Sequence, residues 1–402
     1  MIPGSKADSV GAAAVRVLFV TGAFYPEISA AGVQCRAVAA ALRGRAVCSV
    51  VTTAVTPSLA SKAVVDGVVV RRVVLDTGRG WSKALAGLRF LDAVRREGRV
   101  ADVIHIHGVS QKNLPATLLA RWLRKPLVLT LHTAGQDEPE AVRRRGRLAS
   151  WAFRSPDLVL SVSPSLRDRF QEGGRTEKRV MLTPNGIDTE RFRPADAAER
   201  RDLRRAFGWP EAQPVVLFVG FFSRDKRPDL LFRAWRRLTP EMRPKLVYVG
   251  ATGSGYYEID RLIADGIRAG AAAIGRADDV VFVEPTNEIE RYVRAADVFA
   301  LPSAREAHPL ALLEAMACGL PSVASRLAGA TDVVIEDGVN GRLVPVDDES
   351  AFAAALGTLL ADRAAASSMG ARAREAVIAR YDVRQTAQQW LAAYHRVLTQ
   401  TP

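Results

Sequence analysis

Two carboxylates pose the chemical question for this chain. Glu306 and Glu314 have seven residues between them in the stretch SAREAHPLALLEAMACGLPSVA, which begins at Ser303. Leu312, Leu313 and Met316 recur at helical spacing, and Gly319 then Pro321 stop the run. The pattern predicts a helix over Leu310–Ala317, with Glu314 near its middle and Glu306 in the loop that enters it. A carboxylate inside an apolar helix is costly unless donors reach it, so Glu314 needs a partner group or a ligand. By spacing alone, the plainer role of a helix-start charge and a structural ion pair carries more weight. A retaining hydrolase would need two carboxyl groups about 5 Å apart across one bond, which a spacing that includes a helix start does not show.

The elements around this stretch alternate. Val15–Thr21 is a continuous apolar run suited to a strand buried on both faces, and Ser29, Ala30, Ala31 and Gly32 follow at the turn into a helix over Val33–Leu42. Small residues there let backbone amides approach an anion, although tight packing explains them equally well. Strands are predicted at Ala46–Thr52, Val68–Val74, Val103–His107, Leu127–Leu131, Leu158–Val162 and Arg179–Leu182, with helices between several of them. The pattern restarts at Val215–Gly220 and continues through Lys245–Gly250, Val280–Val283 and Val298–Leu301. Alternation of this kind gives α/β domains with parallel sheets, which bind ligands beyond the carboxyl ends of their strands. Glu306 follows such an end. So do His105, His107 and His132: His107 reads as structural or a minor contact, and His132 is balanced between a ligand contact and a structural histidine.

Composition limits the class. The 402 residues fit two domains and are 48% hydrophobic and 25% charged, with no apolar run of the roughly 18 residues a membrane span needs. The start of the chain reads as a short flexible lead over 1–14 rather than a signal peptide, and Cys35, Cys48 and Cys318 lie in apolar segments without metal-ligand spacing, as buried thiols of a cytoplasmic protein would. The net charge of +13 is uneven: residues 1–190 hold 28 Lys and Arg against 16 Asp and Glu, and residues 191–402 hold 28 against 27. An anionic partner for the first half follows as an expectation. The basic run RRRGRLASWAFR, Arg143–Arg154, reads either as a solvated amphipathic helix or as a face resting on anionic lipid. Charge alone would also admit nucleic acid, but no recognition motif accompanies it.

Several motifs together resemble the retaining glycosyltransferases of family 4. They are FYPEISAAGVQ after the first strand, HIHG at a later strand end, TPNGIDTERFRP at mid-chain, VGFFSRDKRPDLL, ADVFALPS, and EAHPLALLEAMACGLPSVA followed by DGVNGRLV. The resemblance spans nearly the whole chain, and its last block is the most specific. It implies a GT-B fold: an acceptor domain over 15–190, a nucleotide-sugar domain over 191–380, and a final helix, 381–402, packed back on the first domain through Trp390, Leu391 and Tyr394. It further implies that Glu306 faces the donor sugar and that His308, Pro309 and Leu310 contact sugar and diphosphate. Glu314 would hold the ribose hydroxyls, Lys226 would neutralise the diphosphate, the Gly32 loop would close over it, and His132 would lie near the sugar. The family has Gly-Arg where this chain has Gly220-Phe221, so Arg224 on the same loop is the candidate substitute. The usual Gly pair of the first loop is SAAG here, and the usual Pro-Glu is Thr331-Asp332.

The implied reaction moves a hexose from a nucleoside diphosphate sugar to an acceptor hydroxyl with retention. Lys226, Arg224 and loop amides would stabilise the leaving diphosphate. No Asp-x-Asp motif occurs, no cofactor or metal is expected, and the domains would close about Arg191–Pro194. The expected partners are the sugar nucleotide, a glycan or lipid-linked acceptor of the cell envelope or of an exported polysaccharide, and the cytoplasmic face of an anionic membrane; nucleic acid is not among them. The alternatives are an epimerase on the same fold or a binding relative without turnover, which the absent arginine at 221 would favour. A phosphorylase lacks its pyridoxal site here, and an oxidoreductase lacks G-x-G-x-x-G after a first strand.

Overall fold

The computed structural model describes residues 14–75, 80–110, 113–173, 179–239, 241–253 and 259–400, with side chains at 80–84 excepted. Eight strands form the first sheet: β1 (Val15–Thr21), β2 (Ala46–Ala54), β3 (Lys62–Val65), β4 (Val68–Val74), β5 (Val103–His107), β6 (Leu127–Leu131), β7 (Leu158–Ser161) and β8 (Val180–Leu182). Their order is β3-β4-β2-β1-β5-β6-β7-β8. Six more form the second sheet: β9 (Val215–Val219), β10 (Lys245–Val249), β11 (Val280–Val283), β12 (Val298–Leu301), β13 (Ser322–Ser325) and β14 (Arg342–Val344), in the order β11-β10-β9-β12-β13-β14. All pairings are parallel except β3 with β4. That hairpin turns on Asp66 and Gly67, both at positive φ, as a tight two-residue turn requires.

Parallel strands must be covered on both faces, and their apolar runs show it. On one face of the first sheet, Val17, Phe19, Val50 and Val128 pack with Cys35 and Val38 of the helix Ala30–Ala41 and with Trp390, Ala393 and Tyr394 of the last helix, Val383–Gln400. On the other, Leu18, Ile104 and Leu129 meet the helices Gly80–Val100, Asn113–Trp122 and Arg147–Arg154 through Phe90, Ala116, Ala120 and Phe153. The last helix therefore belongs to the first domain's core although it follows the second domain in the chain. Trp390 sets its ring edge-on to Phe19 at 5.8 Å, and the Tyr394 hydroxyl meets His105 Nδ1 at 2.9 Å.

Two parallel-sheet domains with a returning C-terminal helix are the architecture expected from the sequence. The differences are local. The sequence reading omitted β3, β13 and β14, which are three or four residues long. It also took Arg143–Arg154 as one helix. The structure breaks it into Pro139–Arg143 and Arg147–Arg154 at Gly146, whose φ of 102° no helix admits. The lead over 1–13 lies outside the described residues.

Trp390 is fully buried between the final helix and β1. Trp390→Ala is expected to remove about 3–5 kcal/mol of stability, read as a lowered urea midpoint of the first domain.

Candidate active site

The loop Phe222–Arg227 leaves β9 and the loop Pro302–Pro309 leaves β12, which is the neighbour of β9 in the sheet. Two contacts bind these loops together before the site residues are reached: Ala304 donates its amide to the Asp225 carbonyl at 2.7 Å, and the Arg305 guanidinium pairs with the Asp225 carboxylate. Between these fixed points Lys226 Nζ meets Glu306 Oε1 at 2.7 Å, and Ser303 Oγ donates to the same oxygen at 2.8 Å. The Glu306 side chain is 7% exposed and that of Lys226 30%, so the ion pair is shielded on one side and open on the other.

The helix Leu310–Ala317 starts immediately after this pair. Pro309 occupies its N-cap with an extended backbone and supplies no side-chain cap, so the amides of the first turn are left for some other acceptor. His308 precedes it with the ring buried edge-on to Tyr381 at 5.1 Å and, among the described residues, both ring nitrogens without partners. Burial, with Arg380 nearby, pushes the His308 imidazolium down to about 3, so the ring is neutral. About one turn into the helix, Glu314 is buried, and among the described residues no donor reaches its carboxylate. Burial pushes its acid up to about 8, with Arg191 pulling the other way and Glu290 adding to the rise. Arg191 is already committed to Glu290 at 2.7 Å.

The first domain contributes from the ends of β5 and β6. His132 follows β6 and lies buried, its Nε2 at 3.2 Å from His107 Nδ1 and its Nδ1 without a partner among the described residues. One of those two nitrogens must carry the shared hydrogen, so each ring fixes the tautomer of the other. Burial pushes His132 down to about 4, and it pushes His107 well below the usual histidine range, where the neighbouring imidazoles of His105 and His132 add to the effect. Both are neutral. Asp137, which the sequence reading passed over, positions this corner by accepting from the amides of Val109 (2.7 Å), His132 (2.7 Å) and Thr133 (3.0 Å).

Glycines fix the remaining geometry. A Cβ on Gly32 would lie 2.4 Å from the Ala23 carbonyl oxygen, so the first turn of its helix, capped by Ser29, sits directly on the loop after β1. Gly220 ends β9, and a Cβ on its neighbour Gly250, at φ 151°, would lie 2.0 Å from the Gly220 oxygen. Gly250 was not recognised from sequence as a site-forming residue, although a glycine ending a β-strand is the available signal.

A cavity of about 450 Å³ lies between the domains, walled by Ala134, Gly135, Glu138 and Arg144 on one side and by Arg305, Glu306 and Leu327 on the other. Ala307 is buried in the first domain's core, so the loop after β12 reaches across the cleft. The structure thus brings Lys226, Glu306 and the helix start together, and sets His132 with His107 at the strand ends of the facing domain. Arg224 is not brought in. Its side chain is 89% exposed and reaches Asp260 at 3.4 Å. Asn185, which lies in the TPNGIDTERFRP motif, donates to the His308 carbonyl at 2.9 Å and ties the loop after β12 to that segment.

Two sheets facing across such a cleft, with a final helix returned to the first, define the GT-B class of glycosyltransferases. A family model described as Glycosyl transferases group 1 matches residues 199–376, and one described as Glycosyltransferase Family 4 matches residues 31–191. A D-inositol 3-phosphate glycosyltransferase of Xylanimonas cellulosilytica is 35% identical over 305 residues, covering 72% of this chain and 70% of that protein. One from Kribbella flavida is 34% identical over 379 residues, covering 87% and 86%. HepE of Anabaena, solved in complex with UDP and glucose, superposes with a TM-score of 0.78 at 21% identity, covering 95% of this chain and 100% of that one. Sucrose-phosphate synthase of Thermosynechococcus elongatus gives 0.79 at 21%, covering 96% and 100%. The chain belongs to the family 4, group 1 glycosyltransferases.

Glu314 has a consequence for stability. An acid whose folded value is raised stays protonated in the native state while the unfolded chain ionises. Its effect is absent below about pH 4.5 and costs stability progressively as pH rises to about 8. Glu314→Gln is expected to match the parent protein's melting temperature at pH 4 and to exceed it by a margin that grows to pH 8.

Proposed function

We propose that the protein transfers a hexose from a nucleoside diphosphate sugar to an acceptor hydroxyl with retention at the anomeric carbon. The observation that carries this reading is the Lys226–Glu306 pair, held at 2.7 Å on a cleft wall beside an uncapped helix start. A diphosphate entering there meets a lysine and first-turn amides, both suited to growing negative charge. Lys226 then exchanges the carboxylate for phosphate oxygens, and Glu306 is released to face the sugar. In the transition state the sugar gains positive character and the diphosphate gains negative charge. Glu306 favours the first and Lys226 the second.

In the same reading Glu314 accepts from the ribose hydroxyls, which supply the donors that the protein does not. His132 serves as a neutral hydrogen-bonding group near the sugar, fixed in tautomer by His107, and His308, Pro309 and Leu310 line the sugar and diphosphate. The turn at Gly32 closes from the facing domain, and Gly220 allows the diphosphate close to the backbone. Arg224 lies on a loop that must fold inward to reach the diphosphate. The chemistry is proposed to need no metal ion. The acceptor is proposed to be a glycan or lipid-linked sugar of the cell envelope or an exported polysaccharide, modified at the cytoplasmic face of the membrane. No helix among the described residues is long and apolar enough to cross that membrane.

Binding that ionises Glu314 must release a proton near neutral pH. Calorimetry of uridine, guanosine and adenosine diphosphates in two buffers of different ionisation enthalpy is expected to show proton release for the preferred base. Glu314→Gln should bind it more weakly and release none. An unchanged affinity and unchanged proton release in the variant would remove Glu314 from the nucleotide site.

Donor hydrolysis and transfer assays address the cleft. Glu306→Ala is expected to lower turnover by at least about a hundredfold, the scale of losing an electrostatic group aimed at the reacting centre, with nucleotide affinity retained. Lys226→Ala should weaken nucleotide binding as well as turnover, and chelation of divalent cations should leave the parent rate unchanged. A folded Glu306→Ala protein with parental turnover would overturn the sugar-facing role. Nucleotide binding without any release of sugar by the parent protein would identify a binding relative instead.

A further inference from the structure

Three helices form the outer layer over one face of the first sheet, and each leaves large apolar side chains in solvent. Gly80–Val100 exposes Leu88 (65%), Asn113–Trp122 exposes Leu118 and Trp122 (52% and 63%), and Arg147–Arg154 exposes Leu148 and Trp151 (67% and 44%). Single exposed apolar residues are ordinary. Here they lie on adjoining helices whose inner sides share one core through Phe90, Ala120 and Phe153, so their outer sides face the same way. The ends of two of the helices are tied together: Arg121 donates to the Ser155 carbonyl and pairs with Asp157 at 3.0 Å, and Ser155 Oγ donates to the Trp151 carbonyl at 2.7 Å. The helix ends that carry Trp122 and Trp151 are thereby held beside each other. An exposed apolar surface of this kind marks an interaction site.

The charges around it select the partner. Arg147, Leu148, Trp151 and Arg154 follow the i, i+1, i+4, i+7 spacing of a single helix face. Among the described residues Arg147 and Arg154 have no ion pair, and neither has Arg89 or Arg143 on the neighbouring helices. A second copy of this chain would bring the same unpaired cations against them and be repelled. Guanidinium groups interleaved with indoles and leucines instead complement anionic lipid headgroups over an acyl boundary, where tryptophan settles at the interface.

We propose that this face docks the protein on an anionic bilayer, with Trp122 and Trp151 at headgroup depth. The cleft adjoins it. Arg144 and Glu140 line the cavity from the helix Pro139–Arg143, which packs against Arg147–Arg154. A sugar presented from the membrane surface would therefore meet the acceptor side of the cleft. The docking itself is independent of the reaction and is measured without any substrate.

The test uses the full chain with vesicles of phosphatidylcholine alone and of phosphatidylcholine mixed with phosphatidylglycerol. The protein is expected to sediment with the mixed vesicles only, to be released by high salt, and to show a blue shift of tryptophan fluorescence on binding. Trp122→Ser with Trp151→Ser, and separately Arg147→Glu with Arg154→Glu, should each weaken vesicle binding by at least about tenfold. Both variants should keep the parental melting temperature and donor hydrolysis rate. Absence of parent binding to mixed vesicles, or binding by the variants equal to the parent, would overturn the proposal. So would a concentration-dependent dimer that the double tryptophan variant abolishes, because a second copy would then cover the face.

Discussion

The polypeptide crosses between the domains twice, and the two crossings are hydrogen-bonded to each other. Ile187 donates its amide to the Tyr381 carbonyl at 2.7 Å, Val383 donates to the Ile187 carbonyl at 2.9 Å, and Thr189 Oγ1 meets Asp382 Oδ2 at 2.5 Å. Gly186 allows the approach, since a Cβ there would lie 2.7 Å from Val383 Cα. The same junction reaches both halves of the cleft. Gly186 donates its amide to Gln34 Oε1 at 3.1 Å, and Asn185 donates to the His308 carbonyl at 2.9 Å. Any relative motion of the domains must therefore pivot about one short ladder, which constrains the cleft to open along a defined path.

The electrostatics of the cleft follow from that placement. Glu306 is nearly buried and would be costly alone, so Lys226 and Ser303 hold it. Glu314 has no such help and stays protonated near neutral pH. The histidines beneath the facing wall are neutral for the same reason, desolvation. The cleft in this structure thus holds little net charge of its own, and a charged ligand changes its protonation as well as its contacts. Under the proposed function, the buried acid and the ion pair would be two separate ways of coupling nucleotide entry to the site.

Much of this was legible in the residues. The apolar runs that became β1, β5, β6, β11 and β12, and the helix Leu310–Ala317, have the bounds the pattern predicts, because parallel strands buried on both faces must be continuously apolar. Three short strands were not legible: β3, β13 and β14 span three or four residues and are set by pairing rather than by local preference. The site divides in the same way. Spacing and motif placed Glu306, Glu314 and Lys226 on their elements. The pairing of Lys226 with Glu306 depends on Asp225 binding two loops far apart in sequence, which no local pattern records. Asp137 and Asn185 act through backbone groups of other segments and leave no mark of their own in sequence. Arg224 was chosen for its charge, and its exposure is a property of the loop's fold that charge does not reveal.

The position of the last helix bears on how the molecule is made. Trp390, Ala393 and Tyr394 complete the core beneath β1, β2 and β5, yet they leave the ribosome after every residue of the second domain. During synthesis the first sheet emerges with one face partly bare, and the second domain, whose core draws only on later residues, is complete before the first. The usual order of N-terminal domain first is inverted for the final packing step. Until this helix emerges, a growing chain carries an apolar groove that either a chaperone or the same helix of another chain could fill, so exchange of this helix between two chains is the misassembly that this topology most readily permits.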